Sequence, residues 1–373
     1  MARVLALEPY YGGSHQAFLD GYRRRSRHAI DLLTMSARKW KWRMRGAALF
    51  LHDELRVHKR PFDILLVSDF LDLAALMGMA PRLPPETATV AYFHENQLTY
   101  PVPSEQDRDY QFGFTNITTC LAADRVLFNS RHHRDSFLGA ARALLGRMPD
   151  YVPRRAVETI ARRSQVVPVG VELADIDAQR PAAEARSGPL TVLWNHRWEY
   201  DKGAEEFFDV MCELQAEGYD FRLAVTGQQF RTAPAVFEAA RRALAPRIRR
   251  FGYVEGRGEY CRLLLESDLV VSTAEQEFFG ISVVEAVYAG CVPVLPNRLS
   301  YPELLPESRH AQCLYEGRDG LKARLVRWLE HPEQARALNL SADVARFGWE
   351  HVAPMLDDVI DQVSEARRED GHG

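Results

Sequence analysis

The stretch EQEFFGISVVEAVYAGCVPVLP, Glu275 to Pro296, holds two carboxylates, Glu277 and Glu285, eight residues apart across a glycine-containing turn. Ile281 to Ala289 reads as a helix, with Gly280 at its start and Gly290 just past its end. Val292 to Leu295 reads as a buried strand. Glu277 then lies in the loop before the helix and Glu285 about one turn inside it. Exposed N–H groups at a helix start attract anions, and carboxylates are strong acceptors for sugar and ribose hydroxyls. A phosphate flanked by two carboxylates fits a diphosphate with a sugar at both ends. A solvated acidic loop beside a surface helix would carry the same letters.

These residues need a scaffold, and the rest of the chain supplies its pattern. Apolar runs alternate with helix-length segments: VLALEP, IDLLTM, DILLVSD, TVAYFHE, RVLFNS and SQVVPVG, then LTVLWN, FRLAVTG, RRFGYV, DLVVST and VPVLP. Such runs are the mark of parallel sheets covered on both faces. Two series imply an α/β chain of two Rossmann-like parallel-sheet domains facing across a cleft. The polar, Pro/Ala-rich stretch Glu172 to Pro189 is the expected boundary. The expected domains are 1–171, joined by a C-terminal amphipathic helix at 347–366, and 172–346. Ligands of open α/β sheets bind beyond the carboxyl ends of the strands. The loops there read Tyr10 to His15, His94 to Gln97, Asn129-Ser130, His196-Arg197 through Lys202-Gly203, Thr226 to Gln228, and Glu275 to Gly280.

Bulk properties narrow the field. A chain of 373 residues is long for one core. No apolar run approaches the roughly 18 residues of a membrane span, and Arg3 to Leu7 reads as a strand where a signal peptide would stand. The five scattered cysteines form no CxxC pair, which fits reduced thiols in a cytoplasmic protein and argues against zinc. Net charge is −4, but residues 1–60 hold 13 basic and 5 acidic side chains, a net of +8, which leaves −12 for the remainder. The basic residues cluster in RRRSRH, RKWKWRMR and RVHKR. Trp40 and Trp42, interleaved with them, make a surface for nucleic acid or another polyanion as plausible as a solvated helix face.

Particular motifs carry a family resemblance. Glu277-Phe278-Phe279-Gly280 followed by Glu285 resembles the E-x(7)-E motif of the retaining glycosyltransferases of family 4, which have the GT-B fold. Asn195-His196-Arg197 and Asp201-Lys202-Gly203 resemble that family's phosphate-binding loop, and Val169 to Glu172 resembles its interdomain NGVD segment with two departures. LALEPYYGGSHQAFLDG, RKWKWRMRG, YFHENQLTYPVP and QFGFTNITTCLAADRVLFNS resemble the tRNA-queuosine mannosyltransferase branch. That resemblance implies transfer of mannose from GDP-mannose to the cyclopentenediol of queuosine at the tRNA wobble position, with the aspartate tRNA as the expected acceptor. It implies no cofactor and no catalytic metal, no membrane and no obligate protein partner.

The resemblance also distributes roles. Glu277, His94, Arg197 and Lys202 are the expected catalytic set. Arg197 and Lys202 would neutralise the diphosphate and the charge growing on the leaving group, Glu277 would meet the sugar hydroxyls, and Glu285 the ribose. Gly12 and Gly13 let backbone approach the donor. His15, Gly227, Tyr253, Phe279, Gly280 and Ile281 complete the donor set, with Tyr253 as a stacking candidate for the base. His94, Asn96, Gln97, Tyr100, Asp107, Gln111 and Asn116 form the expected acceptor set, since a flipped purine needs stacking faces and edge partners; Tyr110 and Phe114, at helical spacing, read as core. Arg38, Lys39, Lys41, Arg43, Arg45, Arg131 and Arg134 are the RNA-binding candidates. Three other readings stay open: a family 4 transferase acting on a lipid carrier or polysaccharide, a non-catalytic RNA- or nucleotide-binding protein, and a sugar-nucleotide epimerase.

Overall fold

A computed structural model describes all residues except 80–82, 85, 103–107, 182–185, 230–233 and 371–373. The chain divides into two compact units, 1–170 with 349–373, and 171–348.

The first unit is built on strands β1 (Arg3–Tyr11), β2 (Ala29–Ser36), β3 (Ile64–Ser68), β4 (Ala88–Phe93), β5 (Arg125–Phe128) and β6 (Ser164–Val166). They form one parallel sheet in the order β2-β1-β3-β4-β5-β6. Leu5, Leu65, Ala91 and Phe93 from the strands pack with Leu51, Leu76, Ile117 and Phe137 from the helices. Partly buried Tyr110 and Phe114 pack on this core. The chain runs from β1 outward to β2, then returns to place β3 on the other side of β1. Neighbouring crossovers leave β1 and β3 in opposite directions, so a crevice opens beyond their carboxyl ends.

The C-terminal helix Trp349–Asp370 closes this unit by packing on the helix Gly13–Arg25 and on β4. The Asp357 carboxylate accepts from the Tyr22 hydroxyl, the Ser26 hydroxyl and the Arg27 N–H. The Trp349 ring lies against Gly21 and Gly170, where an added Cβ would come within 2.3 and 2.4 Å of it. A glycine at each position is therefore a packing requirement.

The second unit holds β7 (Leu190–Trp194), β8 (Phe221–Val225), β9 (Ile248–Phe251), β10 (Leu269–Val271), β11 (Val292–Pro296) and β12 (Leu314–Tyr315). Their order is β12-β11-β10-β7-β8-β9. Trp194, Phe207, Met211, Phe221 and Phe237 dominate its core. Its switch point lies between β7 and β10. The stretch after Val171 is already part of this unit, because the short helix Ala174–Asp177 packs on the helices Arg257–Leu265 and Ile281–Ala289. Val171 bonds the Phe347 carbonyl through its N–H.

Candidate active site

Both switch points carry chemistry, and each is described by itself.

In the second unit, the helix Ile281–Ala289 starts at Gly280 (φ 106°) and ends at Gly290 (φ 105°), left-handed conformations that favour glycine. Glu277, in the loop before it, accepts from the N–H groups of Phe278 (3.2 Å) and Phe279 (3.3 Å). The Phe279 N–H is thus engaged by Glu277, while those of Ile281 and Ser282 belong to the helix's first turn and have no intrahelical acceptor. Lys202 is buried. Its Nζ donates to the Gln276 carbonyl at 2.7 Å and lies 3.1 Å from Asp201 and 3.6 Å from Glu277. Burial works against charge on Glu277, but the Lys202 ammonium, then His196, the Phe279 N–H and Arg197 outweigh it and hold the carboxyl below its ordinary range. Arg197, half-exposed, pairs with Glu199 at 3.1 Å.

Two glycines bring these loops together. A Cβ on Gly227 would lie 1.7 Å from the His196 carbonyl oxygen, and one on Gly203 (φ 61°) would lie 2.3 Å from that of Thr273. No side chain fits at either place. His196 is buried, and its Nε2 has no partner among the described residues. Burial, with Lys202 adding to it, pushes its pKa down to about 4, so the ring is neutral. Tyr253 is exposed just beyond β9.

Glu285 sits in a clamp that the sequence did not disclose. Arg257 donates to it at 2.5 Å, to Asp175 at 3.1 Å and to the Glu172 carbonyl at 2.9 Å. Tyr260, on the same helix as Arg257, also bonds Glu285, and its hydroxyl accepts from Asn195 at 3.0 Å. Burial raises the Glu285 carboxyl; Arg257 and Tyr260 oppose the rise without cancelling it. Arg257 is 28 residues from Glu285, a separation no local motif reveals.

In the first unit, Glu8 is buried in the second half of β1, just before the bulge in its pairing with β2. One of its oxygens accepts from the Tyr10 N–H (2.8 Å) and the Ser68 hydroxyl (3.0 Å), and the other faces His15 Nδ1 at 3.0 Å. Burial disfavours the imidazolium of His15, but Glu8 more than compensates and lifts the pKa to about 9. The His94 ring lies 4.1 Å from that of His15, centroid to centroid, and is tilted 39° to it. Burial foremost, then His15 and His133, holds His94 neutral. Asp69, buried just past β3, accepts the His94 N–H at 2.8 Å. Burial pushes its carboxyl up to about 8 against the pull of His15, with Glu95 adding to the rise. Glu8, His15 and His94 each offer a ligand atom, all within 4.8 Å of one another, and could hold a cation.

The amide-rich segment buttresses this pocket. Asn96 Oδ1 accepts from the N–H groups of Leu98 and Thr99, and Asn116 joins the Gln97 N–H to the Asp69 carbonyl. Both asparagines are fully buried, with these bonds inside the fold. Gln97 donates to Glu95, Tyr100 is partly buried, and Gln111 is exposed. Asp107 lies outside the described residues. Gly12 packs where a Cβ would come within 2.5 Å of Ala37, and Gly13 has φ 55°. Glu8 and Asp69 escape a sequence reading because each stands at the end of an apolar run. Their signal is a lone carboxylate in the second half of a strand or just past it, which gains meaning once β1 and β3 are known to be neighbours.

The basic segment forms the helix Trp40–Val57. Trp40 turns inward against Phe112, while Trp42 is 61% exposed, along with Leu49, Phe50 and Val57. Arg38, Lys39 and Lys41 are exposed; Arg43 is spent on Ser36, and Arg45 lies over the Phe112 ring. Arg131 is exposed, Arg134 pairs with Asp135, and His133 is buried on Asn129.

Residues 3–171 match the family model described as tRNA-queuosine alpha-mannosyltransferase N-terminal, and residues 175–343 match glycosyl transferases group 1. A tRNA-queuosine alpha-mannosyltransferase of Drosophila melanogaster is 36% identical over 340 residues, covering 89% of this chain and 88% of its own. The chain belongs to the tRNA-queuosine alpha-mannosyltransferase family. A GDP-mannose:cellobiosyl-diphosphopolyprenol alpha-mannosyltransferase of Xanthomonas campestris is 27% identical over 191 residues, 48% of either chain. Among solved structures, a sucrose-phosphate synthase from Thermosynechococcus elongatus matches 98% of this chain and all of its own, with TM-score 0.75 at 16% identity. Anabaena HepE in complex with UDP and glucose matches 97% of this chain and all of its own, with TM-score 0.66 at 14% identity. These likenesses establish the GT-B fold.

Proposed function

We propose that this protein is a retaining hexosyltransferase that moves mannose from GDP-mannose to the cyclopentenediol of queuosine in tRNA, the aspartate tRNA being the expected acceptor. The family relationship over nearly the whole chain carries the reading. In it, the diphosphate lies at the start of the helix Ile281–Ala289, neutralised by Lys202 and Arg197. Glu285 accepts from the ribose diol and Glu277 from the sugar hydroxyls. The sugar–phosphate bond breaks as the acceptor oxygen bonds the same face of the anomeric carbon, and the acceptor proton passes to the departing phosphate oxygen. His94, neutral at the end of β4, orients the sugar. No metal enters these steps, and the work is done at the water-accessible ends of the sheets; among the described residues no helix is long and apolar enough to cross a membrane. Exposed Arg38, Lys39 and Lys41 serve tRNA phosphates.

The test is incubation with each sugar nucleotide and total tRNA, followed by mass spectrometry of the nucleosides. A hexose added to queuosine with GDP-mannose alone is the expected result. Queuosine left unchanged with every donor would refute the reading. The exposed apolar residues Trp42, Leu49, Phe50 and Val57 favour a second reading, in which the acceptor is a lipid-linked saccharide. Vesicles carrying a polyprenyl-diphosphate saccharide, in place of tRNA, test it directly.

A further inference from the structure

We propose that the Trp42 indole is a stacking platform for an unpaired nucleotide of the RNA substrate, whose phosphates meet Arg38, Lys39 and Lys41 beside it. The inference rests on the tRNA reading and deepens it. Trp42 is 61% exposed, and its indole makes no hydrogen bond and no ring contact among the described residues. The ring is nonetheless seated. A Cβ on Gly46 would lie 2.7, 2.9 and 3.0 Å from three of its atoms, Cζ2, Cε2 and Cη2. These are adjacent atoms of the six-membered ring, and such near-equal distances mean that the indole turns its face, not its edge, to Gly46. Gly46 stands inside the helix Trp40–Val57, where glycine is less stable than alanine. The fold gives up helix stability to seat an indole that it then leaves open to water. An indole with one face on a helix and the other uncovered is a platform for a second planar ring.

The charge around the ring says what that second ring carries. Five of the eight residues Arg38 to Arg45 are basic and none is acidic. Arg38, Lys39 and Lys41 are exposed and pair with no carboxylate among the described residues. They stand at the N-terminal end of the helix, which has no acidic residue in its first turn, and there the helix dipole disfavours cations. An anionic ligand offsets that cost. A neutral aromatic ligand would leave the cations unmatched, and a bare phosphate would leave the indole uncovered. A nucleotide supplies both a plane and a charge. Paired bases keep their planes inside the duplex stack, so the match is to an unpaired one. A membrane fits less well, because exposed Asp53 lies three or four residues from Leu49, Phe50 and Val57 and sets a carboxylate in the middle of the face that lipid would cover.

Binding, rather than turnover, tests the idea. The probes are the labelled anticodon stem-loop of a queuosine tRNA and a fully paired RNA duplex of the same length. Trp42→Leu keeps an apolar side chain but offers no aromatic plane. It should bind the stem-loop about tenfold more weakly than the wild type, the scale of one lost base–aromatic stack, and the duplex equally well. Its salt dependence should match that of the wild type, because no charge is removed. Trp42→Phe should recover part of the loss. Gly46→Ala, whose methyl meets the Trp42 ring first, should also weaken stem-loop binding without lowering the thermal midpoint. Equal stem-loop affinity in Trp42→Leu and the wild type overturns the proposal, and so does an equal loss on stem-loop and duplex. Flotation with phosphatidylglycerol vesicles that depends on Trp42 and that the stem-loop does not displace would give the face to a membrane. Self-association that depends on Trp42 in the same way would give it to a second copy of the chain. Either result overturns the proposal. Queuosine left without mannose, while the difference between stem-loop and duplex stands, would refute the proposed function alone.

Discussion

Replacing Arg257 by alanine should weaken GDP binding and make it depend on pH. The guanidinium bonds Glu285 at 2.5 Å and ties it to Asp175 and to the Glu172 carbonyl, so it fixes the carboxylate and favours its charge. A hydrogen bond to a charged group contributes roughly 1.5–3 kcal/mol. Glu285 is buried, but the Arg257 side chain is about a third exposed, so the lower part of that range applies. About 2 kcal/mol corresponds to roughly thirtyfold in affinity. The pH dependence follows from the opposing causes at Glu285. Burial raises its carboxyl, while Arg257 and Tyr260 lower it; Asp175 on the short helix raises it again. Without Arg257 the carboxyl rises further, and more of it is protonated at a given pH. A protonated carboxyl is a poorer acceptor for a ribose diol. GDP affinity of Arg257→Ala should therefore climb as pH rises from acid to alkaline, with a flatter wild type. Arg257→Lys should recover part of the affinity, because an ammonium can pair with Glu285 but cannot bridge all three partners. Calorimetric titration of GDP across pH checks both effects. Adding Glu285→Gln to Arg257→Ala should remove the slope. A loss in Arg257→Ala that is the same at every pH would mean that the arginine only braces the fold, and the reasoning would fail.

Other perturbations separate the remaining parts. Glu277→Ala should abolish transfer with GDP binding largely kept, whereas Glu285→Ala should weaken GDP binding; equal loss of GDP affinity in the two variants would contradict that division. Gly227→Ala places a methyl 1.7 Å from the His196 carbonyl, so the backbone must shift. It should lower the thermal midpoint, at a cost of about 2 kcal/mol or more, and reduce GDP affinity; an unchanged melt would show that the loops after β7 and β8 can part freely. Lys39→Ala with Lys41→Ala should flatten the log–log salt dependence of tRNA binding by roughly one to two units. GDP affinity should not change. A wild-type slope would move the RNA footprint off the helix Trp40–Val57.

The fold was legible where apolar runs are long. Ten of the strands β1 to β11 stand where Val, Leu and Ile cluster, the exception being β9, whose IRRF holds a single aliphatic residue, and the helix Ile281–Ala289 begins and ends at the glycines that announce it. β12, only Leu314–Tyr315, is too short to leave a pattern. Glu277, Lys202 and Glu285 stand out as candidates because they fall in local motifs. Arg257 does not, because its link to Glu285 exists only after the helix Arg257–Leu265 packs on Ile281–Ala289. The amides of 94–116 show a second limit. Letters report that Asn96 and Asn116 are polar, but not that both spend their bonds holding strand-end loops together. The basic helix shows a third, since Trp40 and Trp42 read alike and only the fold sends one inward and one outward.

The two switch points differ in the groups they offer, and that difference bears on what each can hold. Beyond β7 and β10, Lys202 and Arg197 stand with a helix start and with His196, which burial keeps neutral. Such a place favours a diphosphate. Beyond β1 and β3, Glu8 keeps His15 protonated, while burial raises the Asp69 carboxyl to about 8 and so holds it mostly neutral at pH 7. Such a place offers a phosphate no cation among the described residues that is not already paired and favours a set of hydroxyls. The +8 of residues 1–60 does not alter this, because its arginines and lysines lie on helix surfaces and loops, while Glu8 is the only charged side chain on β1 beyond its first residue. The groups at the two sets of strand ends therefore separate a diphosphate from a hydroxyl-bearing group before any base or hexose is read.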